Sequence, residues 1–112
     1  MIRVSAHVRE GAPLLIEAGG HASIGPDGLS AACAAVSVLL KTLGLELTGN
    51  AGCSVKGELG SPGSYRLEIV RCDDERWLRG LWDLSRGILG EIAREWPREI
   101  EFTVIEEKTD GT

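Results

Sequence analysis

Two side chains in this chain have the chemistry of an acyl-transfer pair. His21 stands in a glycine-rich stretch, Gly19-Gly20-His21-Ala22-Ser23-Ile24-Gly25-Pro26-Asp27-Gly28, and Cys33 follows it by twelve residues inside an apolar run. A thiolate and an imidazole are the minimum set for covalent acyl transfer: sulfur attacks the carbonyl, and the ring moves the protons. A thiolate needs stabilising, and a helix N-terminus does this through its unpaired N–H groups and the positive end of its dipole. Ser30, after the Pro26-Asp27-Gly28 turn, reads as a helix N-cap. That puts Cys33 at the third helical position, where the same N–H groups can hold an oxyanion. The bland alternative is equally concrete. A cysteine in an alanine-rich helix is ordinarily a packing residue, and a single histidine at a strand end is ordinarily incidental. Spacing alone leaves both readings open.

The remaining candidates are weaker. Ser37 follows Cys33 by four residues and shares its helix face, although a mid-helix serine commonly bonds its own i−4 carbonyl. Cys53 and Cys72 show neither a CxxC pair nor a zinc spacing. They read as reduced, inert small residues within or just beyond strands. A metal site built from His21, Cys33 and another thiol has no spacing behind it, so neither metal nor other cofactor is expected. His7 falls on the polar face of the first strand and reads as a solvated histidine.

These groups need a scaffold. Ile2, Val4, Ala6 and Val8 alternate with Arg3, Ser5, His7 and Arg9, the period of a half-buried strand. Glu10-Gly11-Ala12-Pro13 is a turn signal, and Leu14 to Ala18 forms the second strand of a hairpin. The glycine-rich loop of residues 19–29 then feeds a helix, predicted to run from Ser30 to about Leu43 and to stop at Gly44. Only Ser37 interrupts the small and apolar positions from Ala31 to Leu40. A helix apolar all round must be covered on nearly every face, by its own sheet and by another subunit. After a short connection over residues 45–50, residues 51–58 and the alternating Tyr65, Leu67 and Ile69 form a second hairpin. Asp73-Asp74-Glu75 opens a long amphipathic helix carrying Trp77, Trp82 and Trp96 as core residues, which Pro97 ends. Ile100, Phe102 and Val104 make the last strand, and residues 106–112 a polar, frayed tail. The order β-β-α-β-β-α-β predicts an α+β fold: a two-layer sandwich of about five mostly antiparallel strands and two helices.

Composition narrows the function classes. At 112 residues, one domain spanning 1–112 is expected. A net charge of −5 argues against a general nucleic-acid binder and suits a basic partner. No apolar run is read as approaching the roughly 18 residues of a membrane span. The start, Met1-Ile2-Arg3-Val4-Ser5, has no apolar signal core, so a cytoplasmic protein is expected.

Gly20-His21-Ala22, then Gly28, then Cys33-Ala34-Ala35-Val36-Ser37 resemble the signature of the bacterial ribosomal-processing cysteine protease family known as Prp. The likeness extends along the chain to Trp96-Pro97 and the final strand. The resemblance implies a cytoplasmic, dimeric cysteine endopeptidase that removes the N-terminal extension of large-subunit ribosomal protein twenty-seven. It implies Cys33 as nucleophile and His21 as general base. Gly20 and Gly28 would give the loop its freedom, and Ser37 would support the site. One position departs from the family's pattern. An acidic residue commonly stands three positions before the cysteine, where this chain has Ser30. Serine caps a helix but supplies no charge to an imidazolium; Asp27 is the nearest acidic substitute. The implied site is therefore a Cys-His dyad. The competing class is a non-catalytic ribosome-assembly or protein-binding module with the same fold.

Overall fold

The computed structural model describes residues 1–20, 30–58 and 64–108. The loop bearing His21, Asp27 and Gly28 lies outside the described residues, as do residues 59–63 and 109–112. The elements are β1 (Ile2–Arg9), β2 (Ala12–Gly19), α1 (Ala31–Gly49), β3 (Cys53–Glu58), β4 (Ser64–Cys72), α2 (Glu75–Glu95) and β5 (Ile100–Glu106). This is the expected order. The strands form one mixed sheet, β3-β4-β2-β1-β5, antiparallel throughout except where β5 runs parallel to β1.

The alternation in β1 decides which face of the sheet is covered. Ile2, Val4, Ala6 and Val8 are buried beneath the helices, and Arg3, Ser5, His7 and Arg9 face the other way. That open face carries ion pairs between Arg3 and Glu101 and between Arg66 and Glu17. The β1–β2 turn is tight because Glu10 and Gly11 both take positive φ, 50° and 80°, the pair of left-handed conformations that matches the twist of a two-residue hairpin. One core joins the sheet to both helices, with Leu40, Leu43 and Leu47 from α1 and Leu78, Trp82 and Leu89 from α2.

Four expectations need correction. First, α1 does not stop at Gly44. It continues to Gly49 and is capped at Asn50, so residues 45–49 are helix rather than connection. Glycine within a helix costs about 1 kcal/mol relative to alanine. Here Gly44 is buried and Leu47 beyond it is fully buried, and packing of that magnitude carries the helix through. Second, the longer helix is now long and apolar enough, by length and composition alone, to cross a membrane. In this fold six of its residues are buried, and Val36, Leu40, Leu43 and Leu47 belong to the domain core.

Third, Cys53 and Cys72 are not separate thiols. They face each other in the β3–β4 register and are joined by a disulfide. Closing a loop of this length restrains the unfolded chain by about 3 kcal/mol. Reduction is therefore expected to lower stability by about that amount in denaturant unfolding. A thiol titration should find one reactive group in the native, unreduced chain, Cys33, and all three after unfolding and reduction. Three reactive thiols without reductant would contradict the pairing.

Fourth, the start of the tail is tied down. Glu106 belongs to β5, the Glu107 amide donates to the Val8 carbonyl at 2.7 Å, and the Glu107 carboxylate lies 2.6 Å from His7 Nδ1. His7 is thus a half-buried, partnered side chain on the open sheet face rather than a solvated one.

Candidate active site

Cys33 sits where the capping argument places it. Ser30 has extended backbone angles, φ −126° and ψ 116°, and is the N-cap of α1; Ala31 is the first helical residue and Cys33 the third. The Cys33 amide donates to Ser30 Oγ at 3.2 Å, and the Ala34 amide to the Ser30 carbonyl at 3.1 Å. The cap therefore occupies one of the amides that the sequence suggested for an oxyanion. Among the described residues Ala31 and Ala32 remain, since first-turn amides have no carbonyl of their own helix to meet. The first turn of α1 contains no acidic residue, so its dipole is uncompensated from within the helix. Ser30→Ala should cost about 1 kcal/mol through loss of the cap. Urea unfolding should show a lower midpoint at an unchanged slope; an unchanged midpoint would mean the cap carries no energy.

The half-buried Cys33 side chain lines a cleft of about 440 Å³. Val36, Ser37 and Leu40 continue that wall along α1, and Gly19 and Gly20 at the end of β2 meet it from the sheet side. Spacing explains the α1 wall: positions 33, 36, 37 and 40 fall on one helix face. Ser37 is exposed on this wall. Elsewhere mid-helix hydroxyls bond back to their own helix, as Thr42 does to the Val38 carbonyl at 2.7 Å and Ser85 to Leu81 at 2.8 Å.

Gly20 is required by geometry. Its φ is +89°, and a Cβ placed there would lie 2.2 Å from the Met1 carbonyl oxygen. No side chain fits that backbone without movement. The structure thus brings Cys33, Ser37 and Gly20 to one cleft, while His21 and Gly28 lie outside the described residues. Among the described residues no three His, Cys, Asp or Glu side chains form a metal-holding group. As a disulfide, neither Cys53 nor Cys72 offers the extra thiolate that a metal site at Cys33 would need.

Sequence reading missed one residue of the cleft. Tyr65 of β4 lines it, and its hydroxyl donates to the Leu40 carbonyl at 2.9 Å. Burial pushes this phenol up to about 12. The local alternation puts it on one face with Leu67 and Ile69 but does not place it at the cleft. The signal lies in the register, which sets Tyr65 opposite Ala18, one position from the Gly19–Ser64 pair at the cleft.

Comparison with known proteins bears on the family and the fold. The family described as Cysteine protease Prp matches residues 1–101. The chain is similar to the solved structure of SMU.848 from Streptococcus mutans, with 27% identity, a TM-score of 0.77, and coverage of 96% of this chain and 99% of that one. It is also similar to the essential ribosomal processing protease Prp from S. aureus, solved with a covalently linked product peptide. There the identity is 21%, the TM-score 0.80 and the coverage 93% and 99%. The same S. aureus protease with a substrate peptide gives 19% identity and a TM-score of 0.76, again covering 93% and 99%. No curated protein sequence matches. With 101 of its 112 residues matched, this chain belongs to the family of the cysteine protease Prp.

Proposed function

We propose that this protein is a cysteine endopeptidase that removes the N-terminal extension of large-subunit ribosomal protein twenty-seven, with Cys33 as nucleophile and His21 as its acid and base. The observation that carries the reading is Cys33 at the third position of α1, on an apolar cleft shared with Gly20, in a chain of this family. His21 follows Gly20 directly in sequence. His21 takes the proton of the Cys33 thiol, the sulfur attacks the scissile carbonyl, and the oxyanion takes hydrogen bonds from first-turn amides of α1. His21 gives its proton to the leaving amine, and the new N-terminus departs. A thioester remains on Cys33. His21 then takes a proton from water, the hydroxide attacks the thioester, and the thiolate leaves with the released extension as its carboxylate. Family structures holding substrate and product peptides support a peptide as substrate. The net charge of −5 suits a basic ribosomal protein.

A homodimer acting in the cytoplasm belongs to the same proposal. Val38 and Leu45 of α1 are 66% and 61% exposed in the single chain, apolar surface that a second copy would cover. Disulfides are rare in the cytosol, so activity there requires the fold to survive reduction of Cys53–Cys72. The test is cleavage of the extended ribosomal protein by the parent, Cys33→Ala and His21→Ala proteins, read by mass spectrometry. A non-catalytic ribosome-assembly module is the second reading. Ser30 in place of an acidic residue favours it, because no carboxylate in the first turn of α1 is available to an imidazolium. An inactive parent protein that still binds the extended substrate would decide for it.

A further inference from the structure

Tyr65 reaches from the sheet to the helix that carries the nucleophile. Its strand, β4, pairs with β2 so that Tyr65 lies opposite Ala18 and Ser64 opposite Gly19. Its hydroxyl ends on the Leu40 carbonyl, 2.9 Å away. Leu40 stands seven residues after Cys33, two turns along the same helix face. We propose that Tyr65 is a positioning residue: its hydroxyl fixes the height of α1 over β4, and so the width of the cleft beside Cys33. The inference rests on Cys33 being the nucleophile, and it adds a residue that neither the motif nor the dyad includes.

Three features support it. Next to the cleft, Val36 and Leu40 of α1 share one apolar cluster with Ile2, and Ala18 packs against it; apolar packing is non-directional. A hydrogen bond to a backbone carbonyl is directional and resists sliding of the helix along its axis. Next, α1 carries glycine where the hydroxyl arrives. A Cβ at Gly44 would stand in van der Waals contact with Tyr65 Oη, 3.5 Å away, so a branched side chain there crowds the hydroxyl. Finally, the phenol is held protonated, with burial raising it to about 12, and it remains a donor through the whole physiological range.

Tyr65→Phe keeps the ring and removes only the bond. Displacement of a reacting group by about 1 Å can cost 10²-fold, and a partial slackening here should lower kcat/KM roughly 10-fold, mostly in kcat. A second readout does not depend on protease activity. The rate of Cys33 alkylation by N-benzyl iodoacetamide, divided by that of iodoacetamide, reports how well the cleft seats an apolar group beside the sulfur. The adduct is located by peptide mapping. The ratio should exceed one in the parent and fall toward one in Tyr65→Phe, with the iodoacetamide rate itself unchanged. Gly44→Val attacks the same bond from the helix side and should lower the ratio in the same way. Because Tyr65 is the only tyrosine, tyrosinate absorbance reports its displacement in that variant directly.

A parental ratio in Tyr65→Phe overturns the proposal, whatever Gly44→Val does. If the parent cleaves no substrate, the protease reading fails, and the alkylation ratios still decide on Tyr65. If the parent cleaves and Tyr65→Phe keeps its kcat/KM, the positioning role is overturned while the protease reading stands.

Discussion

Cys33→Ala is expected to abolish cleavage of the extended substrate, lowering kcat roughly 10³-fold or more, the scale seen when a covalent nucleophile is removed and only binding and oxyanion contacts remain. The fold should be untouched. Cys33 is only half-buried, and alanine is a good helix former at the third position of α1. Its amide still meets Ser30 Oγ, because that bond uses the backbone. Denaturant unfolding should therefore give a midpoint close to the parent's while turnover vanishes. His21→Ala should lower kcat by about 10²–10⁴-fold, the usual contribution of a positioned acid or base. The double variant should be little worse than Cys33→Ala alone, because residues that act as a unit do not add. A Cys33→Ala protein that retained a tenth of parental turnover would remove the thiol from the mechanism.

The largest effect on stability should come from Trp82→Ala. Trp82 is 2% exposed and stands on the buried face of α2 with Leu78, Ser85 and Leu89. Its ring meets Phe102 of β5 edge-on, with centroids 6.5 Å apart and planes at 63°. Removing so large a side chain forfeits its transfer free energy and leaves a cavity, about 3–5 kcal/mol in total. For a domain whose whole stability lies at about 5–15 kcal/mol, that is a large share. The melting temperature should fall by roughly 15 °C. Trp82 does not line the cleft, so at low temperature the folded fraction should keep its kcat/KM. A loss under about 1 kcal/mol would mean that α2 does not anchor on this ring.

How far the structure could be read in advance depended on whether a feature is local. The alternation of Ile2, Val4, Ala6 and Val8 is a property of one strand, and so is the burial it brings. The amphipathic helix that buries Trp82 and the capping role of Ser30 are equally local, and both were legible. So was the third-position placement of Cys33. The features that escaped depend on pairing between distant segments. Cys53 meets Cys72 only once the β3–β4 register is known. Tyr65 belongs to the cleft only because β4 lies beside β2 and α1 crosses above it. Glu107 became a partner of His7 through the parallel pairing of β5 with β1. Gly44 was misjudged for a related reason. Its helix-breaking tendency is local and small, whereas the burial that outweighs it is tertiary.

The central claim is that an acyl group passes through the Cys33 sulfur. Mixing the protein with the extended ribosomal protein, quenching in acid during turnover and mapping the peptides by mass spectrometry tests this directly. The segment N-terminal to the cut should be carried on the Cys33 peptide as a thioester, labile to hydroxylamine and absent from Cys33→Ala. Cleavage that proceeds at the parental rate in Cys33→Ala, with no acyl group found on the Cys33 peptide of the parent, would contradict it.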